Sequence, residues 1–223
     1  MPQINGNIRK EQEHGSAGRY DYDIAVIGAG PGGYATALRA AELGLKTALI
    51  EKDATLGGTC LNRGCIPTKA LLTAAHAREE ISKAQYWGIS VDKTAVSADI
   101  GKLFERKAKI TGTMVSGLAA LIDFCGITVI KGYASISGKN GPHTVRVSAD
   151  GTGKTSVTAE NVILALGSRT VPFPGVGFSD TVLDSDRALE LADIPETVGI
   201  IGSGAIALEF ASFWNAMGSS VTV

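Results

Sequence analysis

The sequence predicts an α/β protein whose parallel sheet is begun twice. Three observations carry this. A strand-like apolar run, Tyr22-Asp23-Ile24-Ala25-Val26-Ile27, feeds the glycine pattern Gly28-x-Gly30-x-x-Gly33. A helix and a second apolar run follow at once, the order a βαβ unit requires. The same pattern returns far downstream, where Val198-Gly199-Ile200-Ile201 feeds Gly202-Ser203-Gly204-Ala205-Ile206-Ala207. Length and composition fit: 223 residues with 44% hydrophobic content suit one full domain and part of another.

Residues 1–20 are polar and lack any helical or strand period, and they read as a disordered tail. Arg9, Lys10 and Arg19 hint at an organellar transit peptide, but Glu11 and Glu13 argue against one. In the first unit a helix is expected over Tyr34–Leu43, stopped by Gly44, and a strand over Lys46–Ile50 that ends at Glu51. Gly28 permits a tight turn, Gly30 lets backbone approach a pyrophosphate, and Gly33 lets helix and strand pack closely. The phosphates would sit on the helix N-terminus. Glu51, eighteen residues after Gly33, can accept hydrogen bonds from both hydroxyls of a ribose. Two such fingerprints imply two dinucleotides.

Between them runs Gly57-Gly58-Thr59-Cys60-Leu61-Asn62-Arg63-Gly64-Cys65-Ile66-Pro67-Thr68-Lys69, followed by a helix over about Ala70–Lys83. A thiol near a helix N-terminus feels unsatisfied N–H groups and the positive dipole end, so a lowered pKa is expected. Two thiols within reach can cycle between dithiol and disulfide, and Lys69 adds a positive charge beside them. A closed zinc site needs four ligands, and Cys125 and His76 fall on other expected helices with no paired spacing. The pair therefore reads as redox chemistry.

Gly88–Val91 is a minor strand candidate, and apolar residues recur at helical spacing over Ser97–Phe124, a packing helix. Cys125 reads as small-residue packing and Ile127–Ile130 as a strand leading to Gly132-Tyr133-Ala134. Gly151-Thr152-Gly153-Lys154-Thr155 ends like a P-loop, but Ser148 stands where the first glycine belongs and a strand-like run follows. A hairpin between Thr144–Val147 and Ser156–Ala159 is expected instead, and nucleoside triphosphate binding is excluded. Asn161–Leu166 reads as a buried parallel strand ending at Gly167-Ser168; Pro172, Pro174 and Gly175 mark a crossover. The second unit needs a helix over Leu208–Met217, stopped by Gly218, and a strand over Ser220–Val223.

Net charge −1 leaves no electrostatic footprint for nucleic acid or anionic membrane. No apolar run approaches the roughly 20 residues of a membrane span. Three cysteines without a secretory signal suggest a reducing, cytoplasmic setting.

The segment GGTCLNRGCIPTKALL resembles the redox-active segment of the flavin-dependent disulfide reductases, most closely the branch that oxidises dihydrolipoyl groups. The resemblance covers about residues 21–223, and Leu166-Gly167 resembles that family's Ala-Thr-Gly signature with Leu in place of Thr. It implies a Rossmann-like FAD-binding domain over 21–185, a parallel sheet with a small antiparallel insertion, and then the truncated start of a Rossmann-like NAD-binding domain over 186–223. By resemblance Cys60 is the exchange thiol, Cys65 faces the flavin, and Lys69 sits near flavin N5, paired with Glu209. The same resemblance places FAD on Gly28, Gly30, Pro31, Gly32, Gly33, Glu51, Lys52, Gly58, Thr59, Gly132, Ala134 and Gly167, and NAD on Gly202, Gly204, Ala205 and Ile206. Implied partners are lipoyl-bearing carrier proteins of 2-oxoacid dehydrogenase or glycine-cleavage systems, and a second copy in a homodimer. A glutathione- or mercury-type reductase shares the cysteine spacing and is the alternative; a non-catalytic FAD-binding fragment is another. In the family the residue that separates NAD from NADP, a flavin-contacting Asp and a His–Glu base all lie beyond residue 223, and His14, His76 and His143 match none of these. The expectation is therefore a chain that does not turn over lipoamide alone.

Overall fold

The computed structural model describes residues 20–137, 142–148, 154–191 and 193–223. Its elements are β1 (Tyr22–Ile27), α1 (Pro31–Glu42), β2 (Thr47–Glu51), α2 (Gly58–Arg63), α3 (Cys65–Ser82), α4 (Ile100–Phe124), β3 (Thr128–Lys131), β4 (Tyr133–Ser137), β5 (His143–Ser148), β6 (Lys154–Leu164), α5 (Ser185–Ala188), β7 (Thr197–Gly199), α6 (Ala205–Met217) and β8 (Ser220–Thr222). The chain packs as two compact units, each made of two separate stretches. One joins the stretch ending at Gly58 to Val115–Ser168; the other joins Thr59–Met114 to Arg169–Val223. Packing thus divides the chain differently from the contiguous 21–185 and 186–223 expected by cofactor, because the cysteine segment packs with the later residues.

In the first unit six strands run in the order β3-β2-β1-β6-β5-β4. The period of two along each strand decides which layer it serves. Ile24, Val26 and Leu49 point to one face, where Ala37 and Ala40 of α1 and Ile122 of α4 close a core. Ala25, Ile27, Ala48 and Ile50 point to the other and meet Val145, Val147, Val157 and Ala159 of the antiparallel strands. Helices, parallel sheet and antiparallel strands are therefore three layers, as the mixed α/β expectation requires. Strand β6 joins the parallel and antiparallel parts of this one sheet. Residues from Lys154 to Ala159 pair antiparallel with β5, and residues from Ala159 to Leu164 pair parallel with β1. Leu49 and Val26 are wholly enclosed, each contributing roughly 1.5–3 kcal/mol by burial.

In the second unit Leu71, Leu72 and Ala75 of α3 pack on Phe210, Phe213, Trp214 and Met217 of α6, with Leu103 and Leu189 completing the core. The i, i+3, i+4 spacing of these residues is the amphipathic stripe that buries a helix face. Gly218, at φ +109°, ends α6 as a left-handed cap. Arg78 donates to the carbonyl of Ala216 at 2.6 Å, placing a cation on the negative end of α6. Strands β7 and β8 pair in parallel.

Several expectations are corrected. The two fingerprint helices begin at Pro31 and Ala205, earlier than Tyr34 and Leu208, and α3 begins at Cys65 rather than Ala70. Pro31 and Pro67 sit in first turns, where a missing N–H costs nothing. Gly88–Val91 forms no strand; Ile89 and Val91 are exposed, with no ladder to join. The strand expected over Asn161–Leu166 is not buried: Leu164 is 60% and Leu166 67% exposed. Cys125 is exposed and packs nothing in. Ser148 pairs with Lys154 as a hairpin requires, while Gly151, Thr152 and Gly153 lie outside the described residues. So do the expected tail up to Arg19 and His14. No helix among the described residues is long and apolar enough to cross a membrane.

Candidate functional site

The turn from β1 to α1 is built of backbone pressed against backbone. Gly28 has φ +99°, and a Cβ there would lie 2.2 Å from the carbonyl oxygen of Ala165; one on Gly33 would lie 1.7 Å from that of Gly28. Gly58, at φ +58°, approaches Gly30 so closely that its Cβ would fall 2.6 Å from the Gly30 Cα. Gly30 caps α1 without a side chain, Pro31 opens the helix, and no acidic residue stands in its first turn. Gly32 follows Pro31 and is exposed. A helix N-terminus with bare backbone and no competing carboxylate is what a pyrophosphate needs. The residues present therefore fit the phosphates of a dinucleotide.

Glu51 ends β2 and is buried, at 5% exposure. One carboxylate oxygen accepts from the N–H of Ala29 at 2.7 Å, the other from the N–H of Asp53 at 2.8 Å. Each oxygen keeps a lone pair for a hydroxyl, so the same carboxylate can fasten the turn and hold a ribose. Lys52 is exposed and pairs with Asp53 at 2.7 Å, and its ammonium stands 5.9 Å from the centre of the Tyr133 ring. The hydrogen bond to Asp53 holds its pKa above the usual lysine value. Lys131, which sequence reasoning passed over, donates to the carbonyls of Asp53 and Ala54 at 3.0 Å each. Its signal was its place at the end of a strand beside the Glu51 loop.

Gly132 has φ +139°, with Val147 and Ser148 within 3 Å of any added Cβ, so it serves the turn into β4, on which Ala134 lies. Gly167, at φ +70°, has open space around it. A groove of 680 Å³ lined by Ala54–Leu56, Ile122 and Thr128 shares no residue with the glycine turn.

In the second unit Cys60 lies on the one-and-a-half turns of α2, and Cys65 is the first residue of α3. Gly64 joins them so tightly that a Cβ there would meet the carbonyl oxygen of Thr59 at 3.0 Å. Both cysteines are free thiols, Cys60 half-buried and Cys65 exposed. They stand on either side of this tight link, Cys60 near the start of α2 and Cys65 at the start of α3. The lowered pKa expected for a helix-start thiol does not hold for Cys60. Burial pushes its pKa up, as do the hydrogen bond and charge of Cys65, outweighing the Cys65 N–H and the Lys69 ammonium that pull it down. The physical reason is burial, which penalises the thiolate more than the nearby positive groups favour it. Thr59 is exposed beside it.

Lys69 lies one turn into α3, and its ammonium meets the carboxylate of Glu209 on α6 at 2.5 Å. The Glu209 hydrogen bond raises the Lys69 pKa, so the cation persists through neutral pH. Gly202, at φ +116°, and Gly204 form the second turn, with α6 opening at Ala205 and Ile206. All four are exposed, and nothing lies within 4 Å of a Cβ on either glycine. Among the described residues no cluster of His, Cys, Asp and Glu could hold a metal ion.

Known proteins are similar to this chain in sequence and fold. The chain is 39% identical over 203 residues to the mitochondrial dihydrolipoyl dehydrogenases of Homo sapiens and Sus scrofa, covering 91% of this chain and 39% of each of theirs. The HOCl-induced flavoprotein disulfide reductase RclA from Escherichia coli superposes with a TM-score of 0.72 at 30% identity, covering 90% of this chain and 41% of that one. This chain thus spans about two fifths of the length of the relatives it matches. Residues 22–223 match the family described as pyridine nucleotide-disulphide oxidoreductase, and the chain belongs to that family.

Proposed function

We propose that the chain carries the flavin and thiol centres of an enzyme that oxidises protein-bound dihydrolipoyl groups, with FAD on the β1–α1 turn, the Cys60–Cys65 pair as the first electron acceptor and NAD as the final one. The observation that carries this is the placing of Cys60 and Cys65 on either side of the tight Gly64 link, with the Lys69–Glu209 ion pair one turn further along α3. The 39% identity to dihydrolipoyl dehydrogenases supports the substrate class.

The exchange balances as follows. A substrate thiolate attacks Sγ of Cys60 in the Cys60–Cys65 disulfide; that bond breaks and Cys65 leaves as a thiolate. The second substrate thiol, losing its proton, attacks the mixed disulfide and releases Cys60. The substrate has given up two electrons and two protons to become a cyclic disulfide, and the protein holds a dithiol. Lys69 favours the thiolate through its positive charge, and Glu209 keeps that charge in place. Bound FAD supplies two-electron acceptor chemistry. The open α1 N-terminus and Glu51 would hold its phosphates and ribose. Lipoyl carrier proteins as partners, homodimerisation and a cytoplasmic setting belong to the same proposal.

A single-turnover experiment tests it without NAD. Oxidised chain mixed with dihydrolipoamide should release close to one lipoamide per chain and yield two new free thiols, and Cys60→Ser should abolish both. Equal rates with glutathione at matched thiol concentration would favour the alternative of a general disulfide reductase, the class to which the Escherichia coli protein RclA belongs by name.

A further inference from the structure

Arg63 is the last residue of α2 and stands between the two cysteines, three residues after Cys60 on the same short helix. Its Nε meets a carboxylate oxygen of Asp186, in the first turn of α5, at 3.0 Å. The far end of this ion pair is itself anchored. Asp184 caps α5 by accepting from the N–H of Arg187 at 2.9 Å. Leu189, just past α5, is 1% exposed in the core. Its carbonyl accepts from the buried Lys107 ammonium at 2.5 Å. Lys107 also pairs with Glu190 at 3.3 Å and lies 4.4 Å from the centre of the Phe104 ring. Arg63 therefore ties the helix that carries Cys60 to a fixed point in the core of the same unit.

We propose that Arg63 and Asp186 are positioning residues: their ion pair fixes the rotation of α2 and so holds Cys60 aimed at Cys65, favouring the disulfide over the dithiol. A ring closes more readily when its open form has less freedom to lose. The pair is two-fifths exposed on each side, so its effect is modest and yields to salt. The inference rests on Cys60 and Cys65 being a redox couple.

The test is the thiol–disulfide equilibrium of the full chain in glutathione buffers, read by alkylation and intact mass. Glutathione disulfide takes two electrons and two protons from the Cys60 and Cys65 thiols and becomes two glutathiones. Arg63→Met or Asp186→Asn should lower the equilibrium constant for the disulfide about three- to fivefold, a rise of about 15–20 mV in midpoint potential. The double variant should shift no further than either single one, and Arg63→Lys should recover part of the loss. Raising salt from about 0.1 M to 1 M should move the parent towards the variants and leave them unchanged. Folded Asp186→Asn with the parent's constant, or additive effects in the double variant, overturns the inference. A parent that forms no Cys60–Cys65 disulfide at any buffer ratio overturns the redox reading beneath it as well.

Discussion

The chain spells nearly the same glycine turn twice, and the two copies differ in everything around the spelling. At Gly28–Gly33 neighbouring backbone fills the space a side chain would take, and a buried Glu51 fastens the turn through Ala29. At Gly202–Ala207 the backbone takes the same positive φ at its first glycine, yet space is open over both glycines. The first turn lies within a six-stranded sheet, the second beside two strands of three residues each. A fingerprint therefore specifies a turn; the cradle is made by the strand ends and loops that close on it.

The sharpest way to break this contrast is to add one methyl group to each turn. Gly33→Ala puts a Cβ 1.7 Å from a backbone oxygen that cannot move aside, so a loss of at least about 3 kcal/mol in stability is expected. Thermal unfolding and retained FAD should both collapse. Gly204→Ala has φ −76° and open space, so its effect should stay within about 0.5 kcal/mol. Similar losses at the two positions would abolish the contrast.

Glu51 gives the next largest effect. Viewed as a strand-end carboxylate, it suggests a pure ligand residue whose removal spares the fold. Buried and bonded to two backbone N–H groups, it should cost about 1–3 kcal/mol of stability as Glu51→Ala, because two donors lose their acceptor. Flavin affinity should fall about tenfold or more at the same time. A variant that loses flavin at full stability would restore the simpler view. Intact flavin content would show the residue misassigned.

Lys69 offers a smaller effect with a definite sign. Its ammonium lowers the Cys60 pKa against burial, so Lys69→Met should move the pH profile of Cys60 alkylation upward. In the parent the raised Cys60 pKa means the folded chain holds this proton longer than the unfolded one. Its contribution to stability is present below the ordinary thiol pKa and is lost as pH rises through the raised value. Alkaline denaturation should therefore begin earlier in the parent than in Cys60→Ser. A profile unmoved by Lys69→Met would remove Lys69 from the thiol site.

Much of this was legible in the sequence, and the reasons differ by residue. Gly28, Gly33 and Glu51 announce themselves because dinucleotide binding constrains spacing along the chain. The Lys69–Glu209 pair was reached through family resemblance, since 140 residues separate its members. Arg63–Asp186 and the Lys107 anchor left no local sign, for they depend on which distant loop α5 occupies. The Gly88–Val91 strand failed because local propensity does not supply a partner strand. The pKa of Cys60 could not be read either, because burial is a property of packing and overrode the expected dipole effect.

The central claim is that one chain holds both a flavin and a separate two-electron thiol couple. Anaerobic reductive titration of the FAD-loaded, oxidised chain tests it most directly, with flavin absorbance and free thiols followed together. The account predicts two electron pairs per flavin, one of them lost in Cys60→Ser while flavin binding persists. Uptake of a single pair by the parent, with no new thiols, would contradict it.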